Sequence, residues 1–516
     1  MSSRLARFAA ITALAFVLSR LLGLVRDQVI AWRFGDTNQF DAYVLAFQIP
    51  DTLFILVSGG ALGTAFIPVF TGLLHSGDED AAWRMAYGVV VVLGAGLVAL
   101  IGLAWIFAPV LMQEGLARRD APETRILATG LMRVLLFSPL LLAMGSIATA
   151  ILQSFDKFGV AAFAPAAYNV GIIGGALFLA PLFPNGYGMY GVAAGVLVGT
   201  FFFLAFQLPL TLRLGLRRFS TTPLRDPNVR TTLRLLFPRI LGQSAIQLST
   251  LITFFLAAGL AENGPTAYRL AFTLFVLPVG LFATSVGTVA FPSMSREAEQ
   301  ADTATFAYLL RRSMRAILFF VIPGSVGLAL LRLPITKLIY QHGEFSAQGT
   351  ALTANTLTYF CLGMWAYALL DIVPRAFYAM QDTRTPVVIA LGVVVLDVAL
   401  SFFLASLIGL GGLALAFAIA SMVQVIALLF ALNRRTGFTL DPDTLRFGLK
   451  AGAGTVVMAA TVLLTHPLWR GYQALSTVDL LFRLSGVISA AAGAYLLVSL
   501  LLKQEEVGTL RRIVRR

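Results

Sequence analysis

Asp41-Ala42-Tyr43-Val44-Leu45-Ala46-Phe47 and Thr266-Ala267-Tyr268-Arg269-Leu270-Ala271-Phe272 are two versions of one string, about 225 residues apart. A second pair keeps that offset: Gly63-Thr64-Ala65-Phe66-Ile67-Pro68 and Gly287-Thr288-Val289-Ala290-Phe291-Pro292. Asp156-Lys157 and Asp382-Thr383 keep it nearly. Three matches in one register point to an internal duplication.

Composition says where the duplicated halves reside. With 58% hydrophobic and 12% charged residues, most of the chain could not face water without aggregating, so it is read as an integral membrane protein. Apolar stretches of about 20 residues recur, the length that crosses about 30 Å of hydrocarbon. They must be helices, because the short alternating strands of a closed barrel are absent and a bilayer offers backbone amides no other partner. Taken from polar break to polar break, spans are expected at 8–32, 41–72, 83–112, 125–152, 159–183, 189–213, 234–260, 266–292, 313–331, 351–379, 385–408, 411–432, 447–467 and 479–502. This is an all-α polytopic fold of fourteen helices. The repeat offset holds six spans, an even number, so the second half enters the membrane from the same side as the first. Two parallel six-helix lobes, 1–220 and 221–440, are then related by a pseudo-two-fold axis along the membrane normal. Residues 441–516 add two helices outside the repeat.

The first span starts too soon after Met1 and carries too many charges for a cleavable signal, so it counts as a helix. Arg4, Arg7, Arg213, Arg225, Arg230, Arg296, Arg311, Arg312, Arg434 and Arg435 all fall on one side, which places both termini in the cytoplasm. The net charge of +13 is mostly this orientation signal, together with attraction to anionic headgroups, and no soluble basic domain exists to bind nucleic acid. Cys361, the single cysteine, excludes an internal disulfide, and His75, His342 and His466 lack ligand spacing. No nucleophile elbow or phosphate loop is present, so neither an enzyme, a metal site nor a nucleotide-driven motor is expected.

Charges inside apolar spans carry the functional reading. Helix one reads Ser19-Arg20-Leu21-Leu22-Gly23-Leu24-Val25-Arg26-Asp27-Gln28. An ionised group at the bilayer centre costs about 2.5–3.5 kcal/mol, so three of them require a wet or paired environment. Arg20 and Asp27 share a helical face, and Arg26 points about 120° away unless the helix opens near Gly23. The competing reading makes Arg26 and Asp27 a structural pair near an interface, with Arg20 snorkelling. Arg133, Arg239, Arg269 and Arg375 are further cations in or near spans, and Arg269 replaces Val44 of the first repeat. A cavity lined by guanidinium groups selects phosphate oxygens and repels a cationic drug. Asp371 and Asp397 either hold a coupling monovalent cation or proton, or neutralise Arg375 and nearby dipoles. Asn169 either lines the cavity or makes a helix–helix hydrogen bond.

Ser19 to Asp27, followed by Phe34-Gly35, Asp41-Ala42, Phe47 and Pro50, resembles the start of the MurJ/MviN lipid II flippases. Ala61 to Pro68, His342-Gly343-Glu344-Phe345 and Arg375 to Val387 look like further blocks of that family. Its wider exporter superfamily usually has twelve helices, so a count of fourteen favours this branch. The resemblance implies a bacterial cytoplasmic-membrane protein that turns the lipid-linked peptidoglycan precursor to the outer leaflet. It also implies cavity-lining roles for Arg20, Arg26, Asp27 and Asp41, and a groove for the polyprenyl tail on the last two helices. The chain departs from the family at Phe54, Ile55 and Gly59 of helix two, where charged residues are usual, and at Thr253 and Thr273. Arg269, one turn before Thr273, could replace the missing charge. The expected mechanism has Arg20, Arg26 and Arg269 holding the diphosphate, with membrane potential as the driving force and no cofactor. Its rivals are export of another polyprenyl-diphosphate glycan, cation-coupled drug export, and a non-transporting scaffold.

Overall fold

The computed structural model describes residues 3–58, 61–184, 186–215, 222–300 and 302–507. Among the described residues every regular element is helical. The chain divides into two compact units, Met1–Thr266 and Ala267–Arg516.

The first unit contains α1 (Ser3–Phe34), α2 (Asn38–Ser58), α3 (Ala61–His75), α4 (Glu79–Ile106), α5 (Pro122–Leu135), α6 (Ser138–Ser154), α7 (Phe158–Gly174), α8 (Met189–Ala205), α9 (Leu208–Arg213) and α10 (Pro227–Ala257). The helix α11 (Gly264–Glu299) starts in it and continues into the second unit. There follow α12 (Thr303–Leu330), α13 (Arg332–Tyr340), α14 (Ala347–Leu369), α15 (Val373–Ala379), α16 (Arg384–Ile408), α17 (Leu410–Thr436), α18 (Pro442–Leu464), the short α19 (His466–Trp469) and α20 (Thr477–Leu501). Thirteen segments among the described residues are long and apolar enough to cross a membrane, some of them kinked pairs such as α5–α6 and α14–α15. The helix α1, 32 residues long against the roughly 20 a bilayer requires, precedes them. The expected span 41–72 corresponds to α2 and α3, and residues 59 and 60 between them lie outside the described residues.

The polar breaks between spans double as caps. Asp78, Asp226, Asp302, Ser346, Asp441 and Ser476 each accept a hydrogen bond from the first turn of the following helix, where backbone amides otherwise lack partners. The duplication also reappears in a turn. Asp156 adopts a left-handed φ of 57° between hydrogen bonds from Asp156 N to Gln153 O and from Lys157 N to Leu152 O. Gln381 has φ 59°, with Gln381 N bound to Tyr378 O and Asp382 N bound to Phe377 O. These partners are 225 apart (381 − 156), so the equivalence runs Asp156 to Gln381, one residue off the Asp156/Asp382 pairing read from sequence.

Close packing fixes the helices that bear the charges. In the first unit α7 meets α8 through glycines: a Cβ on Gly195 would lie 2.6 Å from the Gly175 Cα and 2.8 Å from the Gly171 oxygen. The helix α1 packs against α7, α2 packs against α5, and α10 packs on α2, α3 and α4. In the second unit Phe272 and Phe275 of α11 meet Phe360 and Tyr367 of α14 and Phe417 of α17. The unrepeated α18 and α20 pack on each other and on α12, burying Phe319, Ala451, Met458, Leu484, Val487 and Tyr495.

Candidate functional site

In the first unit the packing of α1 on α7 joins three of the residues singled out above. The Arg26 Nε lies 2.9 Å and its terminal nitrogen 2.8 Å from one oxygen of Asp27. The other terminal nitrogen donates to Asn169 Oδ1 on α7 at 3.1 Å. The Asn169 amide donates in turn to the carbonyls of Ser19 at 3.3 Å and Pro165 at 3.2 Å. Its oxygen therefore faces the cation and its nitrogen faces acceptors, which settles the amide orientation chemically. Asp27 is 1% exposed, whereas the Arg26 side chain keeps 19% of its surface. All three nitrogens of this guanidinium are thus engaged by Asp27 or Asn169, while the side chain as a whole keeps partial exposure.

Helical geometry had aimed Arg26 away from Asp27, but its long stem curls back and the adjacent residues pair. Arg20, six residues earlier in α1, is exposed. Tyr43 and Tyr168 lie close enough to Arg26 to interact with it electrostatically. Sequence reasoning gave neither a role, although Tyr43 sits in the repeated string and Tyr168 precedes Asn169.

Asp41 is buried, and its carboxylate accepts a hydrogen bond from Thr266 N at 2.9 Å, in the first turn of α11. Asp120, in the segment before α5, has one carboxylate oxygen buried without a hydrogen bond. Burial pushes that carboxyl up to about 6 against the opposing pull of Arg125. Phe54, at a position where the family resemblance leads to charge, packs against the buried cluster of Leu142, Ala164 and Phe203. Gly59 and the side chain of Arg239 lie outside the described residues.

The remaining charges separate by environment. Arg133 stacks 4.7 Å over Trp105, an exposed ring, and its Nε donates to the Trp105 carbonyl at 3.4 Å. In the second unit Arg375 and Asp371 form an ion pair at 3.1 Å across the α14–α15 break. That pair lies against Gly287 of α11, where a Cβ would meet Asp371 Oδ2 at 2.5 Å. Asp397 on α16 is partly buried and interacts with Tyr268 of α11. Arg269 is also partly buried, and its carbonyl accepts from Thr273 Oγ1 at 3.1 Å. Thr253 is buried, and its hydroxyl donates to Ser249 O at 3.0 Å. Among the described residues no group of three or more His, Cys, Asp or Glu is placed to hold a metal ion.

Comparison with known proteins supplies a context. The family described as lipid II flippase MurJ matches residues 30–504. The lipid II flippase MurJ of Burkholderia cenocepacia is 28% identical over 457 residues, covering 86% of each chain. The probable lipid II flippase MurJ of Vibrio cholerae serotype O1 is 28% identical over 515 residues, covering 97% of each. A solved structure of lipid II flippase MurJ in an inward closed conformation aligns with a TM-score of 0.81 at 26% identity, over 96% of this chain and 99% of its own. An inward-facing multidrug resistance MATE family transporter of the MOP superfamily aligns with a TM-score of 0.65 at 17% identity, over 81% of this chain and 94% of its own. That second likeness is one of fold alone.

Proposed function

This chain belongs to the MurJ family of lipid II flippases, and from that membership we propose that it moves the undecaprenyl-diphosphate-linked peptidoglycan precursor from the inner to the outer leaflet of the bacterial cytoplasmic membrane by alternating access. The observation that carries the proposal is extent: the MurJ structure accounts for 96% of the chain, whereas the MATE transporter accounts for 81%. Its substrate is a diphosphate, and the partly exposed Arg26, held in place by Asp27 and Asn169, carries a guanidinium of the kind suited to phosphate oxygens. Arg20 adds a second cation on the same helix. Arg269 is assigned to the substrate as well, on the strength of its place in the repeated string.

The basic loops around Arg213 to Arg230, Arg296 to Arg312 and Arg434-Arg435 support a topology with both termini in the cytoplasm. The repeat supports halves at 1–220 and 221–440, with 441–516 added. No cofactor is invoked. Moving one charge across the membrane is worth about 2.3 kcal/mol per 100 mV. Two negative charges travelling outward in a cell negative inside therefore gain about 4–5 kcal/mol, enough to bias export. Asp371, paired with Arg375, and Asp397 are the two carboxylates we assign to cation coupling.

The test is replacement of the sole lipid II flippase of a bacterium by this chain. Growth with normal cell shape, together with labelled lipid II reaching the outer leaflet, is the expected result. A second reading, export of a different polyprenyl-diphosphate glycan, follows from Phe54, an apolar residue packed on the cluster of Leu142, Ala164 and Phe203 where the family resemblance leads to charge. Failure to complement, combined with binding of such a glycan in preference to lipid II, would establish that reading instead.

A further inference from the structure

Lys337 presents an arrangement that the transport reading does not use. It lies on α13, is 9% exposed, and directs its ammonium at three backbone carbonyls: Tyr472 O at 2.7 Å, Gln473 O at 2.8 Å and Leu475 O at 3.2 Å. An ammonium has three N–H donors and no acceptor, so the three carbonyls match its full capacity. These carbonyls belong to the connection between α18 and α20, the helix pair outside the repeat. Gly471 opens that connection with a left-handed φ of 74°, and a single 3₁₀ turn, Tyr472–Ala474, closes it. Three carbonyls converging on one point form a small crown of the kind that holds a monovalent cation, and here a tethered ammonium fills it. Burial pulls the Lys337 ammonium below its ordinary range, and the charge is held against that pull by the carbonyl dipoles.

The same short helix reaches the repeated core. Tyr340, one turn after Lys337 and fully buried, donates from its hydroxyl to the Leu270 carbonyl of α11 at 3.5 Å, and α13 also packs on α14. At the other ends of these helices Arg315 of α12 lies 3.5 Å from Glu506, beyond α20, and Arg311 lies 3.1 Å from Asp441, at the cap of α18. Between the two polar ends the pair is held to α12 by apolar side chains, apart from the hydrogen bond from the Tyr495 hydroxyl to Phe319 O at 2.8 Å. Lipid tails are as apolar as those side chains, so apolar contact alone gives weak preference for one docking register.

We propose that Lys337 is a positioning residue: its ammonium, filling the carbonyl crown at 472–475, fixes the end of the α18–α20 pair against the helix that touches α11. The inference does not depend on the identity of the substrate. It predicts a specific form of rescue, because a crown built for an ammonium accepts a free one.

The experiment compares Lys337→Ala and Lys337→Met in the full chain in lipid nanodiscs, by hydrogen exchange of backbone amides, with and without ammonium chloride. In Lys337→Met, where the stem still fills the site, exchange in residues 466–476 is expected to rise about tenfold or more, with no change in α4 or α8. In Lys337→Ala the same rise is expected, then reversed by ammonium or potassium but not by tetramethylammonium, which is too large for the crown. Lipid II binding, measured on the same samples, should follow the rescue. Unchanged exchange in 466–476 in either variant overturns the proposal. So does a loss of protection throughout the molecule that ammonium does not restore, because it would make Lys337 a general fold determinant rather than a local one. Failure of lipid II to bind the wild-type protein would count against the substrate assignment and leave the exchange result standing.

Discussion

Replacing Arg26 by Lys separates binding from architecture. A guanidinium has five N–H groups, and each of the three Arg26 nitrogens already contacts Asp27 or Asn169. Two N–H directions therefore remain for a ligand. Lysine preserves the charge and can still meet Asp27, so the buried carboxylate keeps a cation beside it. It cannot span Asp27 and Asn169 while also offering parallel donors to a phosphate. A hydrogen bond to a charged group is worth about 1.5–3 kcal/mol, so the loss of one ligand contact weakens diphosphate binding about 10- to 150-fold. Arg26→Met should do more: it withdraws the charge from beside a carboxylate that is 1% exposed, a change costing about 3–5 kcal/mol of stability in buried pairs. The assay is lipid II titration by native mass spectrometry on the purified variants, with thermal melting of the same preparations. Lys at this position should bind weakly and melt near wild type, and Met should fail on both counts. If the Lys variant binds lipid II within about twofold of wild type, Arg26 is a structural tie and the assignment of the diphosphate to it is wrong.

Two other substitutions test the frame around this site. Gly195→Ala places a methyl group against the backbone of α7 and should lower the melting temperature by several degrees, while Gly174→Ala, with nothing within 4 Å of the added carbon, should leave it unchanged. Equal melting of the two variants would mean that the glycine contact does not hold α7 to α8. Asp120, raised to about 6 from 3.8, keeps a proton in the folded protein that an unfolded chain releases between about pH 4 and 6. Its contribution therefore favours the fold at low pH and is lost as pH rises through 6. Asp120→Asn should flatten that part of the melting curve against pH and melt higher than wild type at pH 7.5; a parallel curve would show that the carboxyl titrates normally.

The helical fold was legible because the bilayer imposes one backbone solution on every apolar stretch, and because Asp and Ser at the breaks mark the helix starts. Locally the reading was coarser. The turn that repeats at 225 residues is defined by a left-handed φ, which Asp156 and Gln381 share without sharing a side chain. An identity match at Asp382 therefore missed the register by one.

The site was legible as a set of residues and not as a network, for a physical reason. Cost in hydrocarbon marks each charge separately, so Arg26, Asp27, Arg133, Asp371 and Arg375 all stand out equally in the sequence. What distinguishes them is the partner, and the partner depends on packing. Arg133 finds a nearby exposed ring and a carbonyl, and Arg375 finds a carboxylate one turn away, so both are satisfied by neighbours that any single helix or interface supplies. Arg26 instead reaches across 143 residues to Asn169, an uncharged side chain that hydropathy hardly notices. That bond exists because α1 packs on α7. A cation whose three nitrogens are all fixed by a carboxylate and an amide, on a side chain that is still partly exposed, is oriented in a way the other two are not. Because Phe54 packs on an apolar cluster of this unit, the charge recognition proposed for it is assigned to Arg26 and Arg20.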